Sequence, residues 1–207
     1  MVKVLIVDDH PIVRLGLKEL LEELTGFSVG EAGNAAEALS YVSKEKVSVV
    51  LMDISMPGRS GLEALHDLKR EYPKLPVIML TIYPEEQYAV RALRAGADGY
   101  LSKNSAPAEL VQAIQKVLGG GKYVSPSLAE KLAFEMHRET DKPPHELLSD
   151  REYEVFCMLG RGLSITEISE KLSLSVKTVS TYRTRIVEKT SLKSNSEIVR
   201  YVIDYEL

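Results

Sequence analysis

Three carboxylates, a hydroxyl and an ammonium each stand at or just past the end of a short apolar run. Asp8 and Asp9 follow residues 2–7, Asp53 follows 47–52, Thr81 follows 77–80, and Lys103 comes soon after Tyr100 and Leu101. Clustered carboxylates repel one another, so in an apolar crevice they need protons or a cation. A hard divalent ion fits: Mg2+ takes oxygen ligands, keeps several waters and accommodates a phosphate oxygen beside two or three carboxylates. One carboxylate can then act as a nucleophile toward phosphorus, while a Lys and a Thr neutralise and orient the phosphoryl oxygens. No separate acid or base is required.

These groups meet only if the apolar runs are parallel strands, which all end at one sheet edge, the edge where open α/β sheets bind ligands. The intervening segments have helical periodicity: Ile12, Val13, Leu17, Leu20, Leu21 and Leu24, then Leu62, Leu65 and Leu68, then Leu110, Ile114 and Val117. With a further strand near residues 27–32, the expected fold is α/β: a flavodoxin-like, doubly wound sheet of five parallel strands in the order 2-1-3-4-5 with right-handed crossovers. That order sets Asp8-Asp9 and Asp53 on neighbouring strands. Asp9 also has a local reading as a helix N-cap, since Pro11 follows in the first turn.

Asp8-Asp9, the stretch Leu51-Met52-Asp53-Ile54-Ser55-Met56-Pro57-Gly58, Thr81 and Lys103 together resemble a response-regulator receiver domain over the first 120 or so residues. The resemblance implies that Asp53 is the phosphoacceptor and that Asp8, Asp9, Asp53 and the Ser55 backbone carbonyl hold Mg2+. It also implies that Thr81 and Lys103 contact the phosphoryl group, and that Thr81 and Tyr100 form a switch pair. Ser55 and Tyr83, each two residues past a site residue, would control access of water to the phosphoryl group, and a bulky Tyr83 would restrict it.

The strand and helix alternation stops at Gly119-Gly120-Gly121. Residues 128–138 read as one helix, which Pro143-Pro144 cannot continue. The expected organisation is a first domain over 1–120, a linker over 121–145 and a second domain over 146–207. Ser-x-x-Glu capping boxes at Ser149/Glu152, Ser164/Glu167 and Ser194/Glu197, with a further cap at Ser175, predict four short helices in this second, all-α domain. Residues 163–185 read as helix, turn, helix. Ile165, Ile168 and Leu172 are expected inside from the first helix, Val176, Val179 and Ile186 from the second, with Leu174 filling the turn.

Leu148-Ser149-Asp150-Arg151-Glu152, Gly162-Leu163-Ser164, Glu167-Ile168 and residues 175–182 resemble the LuxR-type (NarL-type) helix-turn-helix DNA-binding domain. The chain departs from the common pattern at Tyr182, where His is frequent, and at Thr190-Ser191, where Leu-Gly is usual. Residues 146–207 carry nine Lys and Arg against ten acids, so the module is not uniformly basic. Residues 175–193, however, hold five bases against the single acid Glu188. On this helix Ser180, Thr181 and Thr184 are expected to face bases, with Lys177, Arg183, Arg185 and Lys189 near phosphates and Thr178 beside them.

Composition suits two domains: 207 residues exceed the usual domain size of roughly 100 to 150, and 44% apolar residues suffice for cores. No apolar run approaches the roughly 20 residues that span a bilayer, and the start, Met1-Val2-Lys3-Val4, lacks a signal-peptide pattern. Cys157, alone in an apolar stretch, reads as a core residue. His10, His66, His137 and His145 lack ligand spacing and receive no function.

The joint expectation is a cytoplasmic two-component response regulator of transcription, phosphorylated by a sensor histidine kinase and binding double-stranded DNA, with no membrane partner. It would be a phosphoacceptor with self-catalysed transfer and autodephosphorylation rather than an enzyme. Homodimerisation through the last helix, where Ile198, Val199 and Val202 are apolar, would match a two-fold DNA site, and RNA polymerase is a further candidate contact. The competing reading is a phosphorylation-independent DNA-binding factor with a vestigial receiver. An aspartyl-phosphate phosphatase is disfavoured because Ser55 stands where a second Asp is needed, and an RNA-binding output is disfavoured by the helix-turn-helix pattern.

Overall fold

The computed structural model describes residues 1–24, 26–126, 128–130, 143–205 and 207. Two compact units divide the chain, Met1–Leu128 and Ala129–Leu207. In the first, β1 (Val2–Val7), β2 (Phe27–Ala32), β3 (Val49–Met52), β4 (Val77–Thr81) and β5 (Gly99–Ser102) pair in the order β2-β1-β3-β4-β5, every pair parallel. The expected topology is therefore the observed one. Helices α1 (Pro11–Glu22), α2 (Ala35–Lys44), α3 (Gly61–Glu71), α4 (Glu85–Arg94) and α5 (Pro107–Leu118) alternate with the strands. Every residue of β3 and β4 is buried, which is why these runs are continuously apolar rather than alternating. Val4, Ile6, Val49, Leu51, Ile78 and Leu80 form the core with Leu110, Ile114 and Val117 of α5. Each such side chain contributes roughly 1.5–3 kcal/mol by leaving water.

Helix α1 departs from expectation in two respects. Its N-cap is His10, not Asp9, with Pro11 in the first turn. Ile12 is 85% exposed, whereas Leu21 is fully buried. The helical pattern that contains both residues is wider than the stripe that packs on the sheet.

The first unit extends past the three glycines. Tyr123 bridges Gly99, its carbonyl accepts from Tyr100 N–H at 3.2 Å, and Ser125 Oγ donates to Glu85 Oε2 at 2.5 Å. Part of the segment expected as linker is thus laid along the β5 edge. Of the helix expected over 128–138, residues 131–138 lie outside the described residues.

From Pro144 on, the described residues of the second unit form a 3-10 turn, Pro144–Leu147, followed by α6 (Asp150–Gly160), α7 (Ile165–Leu172), α8 (Val176–Thr190) and α9 (Asn195–Asp204), the four helices expected. Ser149/Glu152 and Ser164/Glu167 form reciprocal capping boxes. The third box is half-formed: Ser194 caps Glu197 N–H, but the Glu197 carboxylate accepts from Lys193 N–H at 2.7 Å. Cys157 is buried in α6, as expected. Ile168, Leu172, Val179 and Ile186 are buried as well, whereas Ile165 and Leu174 are half-buried and Val176, at the first position of α8, is 50% exposed.

The departure at Thr190-Ser191 has a local solution. Thr190 is buried and its hydroxyl donates to the Ile186 carbonyl at 2.7 Å. Ser191 takes the left-handed conformation, φ 62°, that glycine adopts without strain.

Candidate functional site

The β-ladder positions the acidic cluster. Val7 pairs with Met52, and the next hydrogen bond carries the pairing one residue further: Asp53 N–H donates to the Val7 carbonyl at 2.9 Å. At the other side of the edge, Lys103 N–H donates to the Thr81 carbonyl at 2.8 Å. Asp8, Asp53 and Thr81 are buried together at the carboxyl end of the sheet. The loop after Asp53 turns back through Gly58, φ 75°, to the Ser60/Glu63 capping box that starts α3. Gly61, within that first turn, donates to the Ile54 carbonyl at 2.8 Å, and a Cβ there would collide with the carbonyl oxygen of Asp53. The sequence reading passed over Gly61, although the Ser60-x-x-Glu63 signal beside it is local.

Lys103 Nζ bridges the cluster, 2.6 Å from Asp8 Oδ2 and 2.7 Å from Asp53 Oδ2. Burial pushes the Asp53 carboxyl above its ordinary pKa, against the opposing pull of Lys103. Burial also opposes the charge on Lys103, but Asp53 and Asp8 outweigh it and raise the ammonium's pKa. The remaining oxygens of the cluster suit a cation. Asp53 Oδ1 is buried without a hydrogen-bond partner, Asp9 Oδ1 is buried with the His10 ring nitrogen 2.9 Å away, and one ligand atom from each of Asp8, Asp9, His10 and Asp53 lies within 4.8 Å of the others. An open acceptor on Asp53 among clustered carboxylate oxygens fits Mg2+. Ser55, two residues after Asp53, is half-buried.

Thr81 Oγ1 accepts from Tyr83 N–H at 3.3 Å. Tyr83 is buried, with its hydroxyl 3.5 Å from Ser55 Oγ and its ring tilted against Tyr88 at 4.8 Å between centroids. The two residues read from sequence as flanking the site therefore meet each other. Tyr100 is already turned inward, 1% exposed, and its hydroxyl donates to the carbonyls of Tyr83 at 3.0 Å and Pro84 at 3.3 Å.

In the second unit, Ser175 caps α8 by accepting from Thr178 N–H. Lys177, Thr181 and Arg185 recur every fourth residue, and with Ser175, Thr178 and Tyr182 they line one open face of the helix. Sequence reasoning missed Ser175 and Tyr182 on this face. The hydroxyls of Thr181 and Thr184 donate to the Lys177 and Ser180 carbonyls. Ser180 is half-buried, Arg183 Nε donates to Asn195 Oδ1 at 3.1 Å, and Lys189 Nζ lies 2.6 Å from the buried Glu152 carboxylate. Thus Arg183 and Lys189, read from sequence as phosphate contacts, hold α8 to α9 and α6.

In α9, Ile198 and Val202 are core residues; Val199 and Ile203 line an open face with Asn195, Ser196 and Arg200. No helix among the described residues is long and apolar enough to cross a membrane.

Comparison with known proteins finds a family match in each unit. Residues 4–115 match the response regulator receiver domain family, and residues 146–202 match the bacterial regulatory proteins of the luxR family. Response regulator GacA of Pseudomonas syringae pv. syringae (strain B728a) is 42% identical over 200 residues, covering 96% of this chain and 94% of that protein. Response regulator UvrY of Escherichia coli (strain K12) is 39% identical over 209 residues, covering 100% of this chain and 96% of UvrY. Among solved structures, RcsB from Salmonella enterica serovar Typhimurium, bound to promoter rprA in the presence of phosphomimetic BeF3-, superposes with a TM-score of 0.67 at 28% identity, covering 98% of each chain.

Proposed function

The chain belongs to the response regulators that join a receiver domain to a LuxR-type DNA-binding domain, and from that premise we propose that phosphorylation of Asp53 controls how the second unit binds double-stranded DNA. The observation that carries this reading is the Lys103 ammonium held between Asp8 and Asp53 at 2.6 and 2.7 Å. An ammonium so held can release one carboxylate and neutralise an added phosphoryl oxygen.

The donor is a phosphohistidine of a sensor histidine kinase. A carboxylate oxygen of Asp53 bonds to phosphorus as the phosphorus–nitrogen bond breaks, and the departing imidazole takes up a proton. Lys103 balances charge on the phosphoryl group, and the Thr81 hydroxyl donates to it. Mg2+, held by Asp8, Asp9, Asp53 and the Ser55 carbonyl, supplies further neutralisation and in-line orientation when bound. The chain acts as a phosphoacceptor with self-catalysed transfer and autodephosphorylation, not as a turnover enzyme.

Drawing Thr81 toward the phosphoryl group loosens its hydrogen bond to Tyr83 N–H, in the same residue whose carbonyl the Tyr100 hydroxyl holds. Added charge thereby biases one of two packings, as a distant effect requires. The output is transcriptional control in the cytoplasm. The Lys177, Thr181 and Arg185 face of α8 meets DNA, and the Val199 and Ile203 face of α9 pairs two copies on a two-fold site. RNA polymerase is the further contact of that assembly. The RcsB structures bound to promoter DNA with a phosphomimetic support this reading.

The test is fluorescence anisotropy on promoter DNA selected with this chain. Treatment with Mg2+ and a small phosphodonor should tighten binding of wild type and leave Asp53→Asn unmoved. Equal binding by both, with and without donor, would point to a vestigial receiver.

A further inference from the structure

His10 stands inside the acidic cluster, although its sequence spacing marks no ligand. As the N-cap of α1 it makes no side-chain cap hydrogen bond, so its ring does not serve the helix. Nδ1 instead lies 3.2 Å from Asp8 Oδ1 and 2.9 Å from Asp9 Oδ1, and His10 N–H donates to Asp8 Oδ1 at 2.8 Å, which holds the residue over the pair. The second observation is Asp53, a residue 3% exposed that belongs to the cluster and whose Oδ1 is buried with no hydrogen-bond partner.

We propose that His10 is a fourth side-chain ligand of the divalent-cation site, and that it shifts the site's preference from Mg2+ toward borderline transition ions such as Co2+ and Ni2+. The inference rests on the reading that Asp8, Asp9 and Asp53 hold a divalent cation. Carboxylates suit hard ions, Mg2+ among them, whereas an imidazole nitrogen favours Ni2+ and its neighbours in the transition series. The imidazole side chain is 63% exposed at the mouth of the site, so it can turn its nitrogen lone pair toward a cation without displacing packed atoms. The three buried or half-buried carboxylates fix where the ion sits, and the ring selects among ions.

The experiment uses untagged full-length chain stripped of metal. Competition calorimetry measures Co2+ and Mg2+ affinities, and pulsed EPR of bound Mn2+ looks for nitrogen coupling. Wild type should favour Co2+ over Mg2+ by a ratio that falls about tenfold in His10→Gln, with Mg2+ affinity little changed. Mn2+ on wild type should show a 14N coupling that His10→Gln lacks. Absence of that coupling, with the same Co2+/Mg2+ ratio in both proteins, overturns the role of His10 and leaves the carboxylate site intact. Metal binding by Asp53→Asn as tight as wild type overturns the carboxylate site itself, and this inference with it.

Discussion

The Tyr100 hydroxyl donates to the backbone carbonyl of Tyr83 at 3.0 Å, tying β5 to the loop that follows Thr81. Its backbone N–H donates to the Tyr123 carbonyl, so one residue joins the acidic site's loop to the segment leaving the first unit. A change at Thr81 therefore has a short covalent and hydrogen-bonded route to the chain that leads to the DNA-binding unit.

Removing that hydroxyl separates stability from signalling. Tyr100→Phe leaves the buried ring in place and orphans part of the acceptor capacity at Tyr83 and Pro84, a cost of about 1 kcal/mol. Thermal unfolding should register the loss. Phosphodonor labelling of Asp53 should proceed as in wild type, while the donor-dependent gain in DNA affinity shrinks. An unchanged gain would remove Tyr100 from the route.

Tyr83 is expected to set the lifetime of the phosphorylated state. Its buried ring packs on Tyr88 and its hydroxyl reaches Ser55, a placement that would close one approach for water to an aspartyl phosphate. Tyr83→Ala should shorten the half-life of the phosphoprotein several-fold, measured by intact mass against time. An unchanged half-life would show that water arrives by another path.

Salt dependence distinguishes the bases of α8. Lys177 and Arg185 lie on the open face, whereas Lys189 is committed to Glu152. Lys177→Met should weaken DNA binding and lower the slope of log affinity against log salt by about 1. Lys189→Met should leave that slope unchanged and instead destabilise the helical unit. A slope change of the same size for Lys189→Met would make it a phosphate contact after all.

The placement of the first unit's candidate site residues was largely legible in the sequence because parallel strands all deliver the residues beyond their ends to one edge. Asp8, Asp53, Thr81 and Lys103 could be assigned there from strand runs alone. What escaped depends on contacts distant in sequence or on rotation about a helix. Ile12 fits the α1 pattern yet faces solvent, and Val176 does so at the first turn of α8. Lys189 looks like any base on a basic helix until α6 brings Glu152 against it. His10 had no ligand at helical or hairpin spacing, since its partners are two adjacent aspartates and a carboxylate from another strand.

The Glu152 carboxylate fixes the acid response of the second unit. Burial alone would push its pKa up, but hydrogen bonds from Lys189 and from Ser149, together with the Lys189 charge, hold it below the ordinary carboxylate value. A depressed native pKa contributes stability above the unfolded value, about 4.3, and that stability is lost as pH falls through the lower native value. Amide-exchange protection in residues 150–204, corrected for the intrinsic pH dependence of exchange, should therefore fall more steeply below about pH 4 in wild type than in Glu152→Gln, which starts less protected at neutral pH. Parallel pH profiles would contradict the assignment.

Intact mass after incubation with Mg2+ and a small phosphodonor tests the central claim most directly. Wild type should gain one phosphoryl increment, Asp53→Asn none, and EDTA should abolish the gain. An increment of equal size on Asp53→Asn would contradict the assigned residue, and a wild-type increment indifferent to EDTA would contradict the cation beside it.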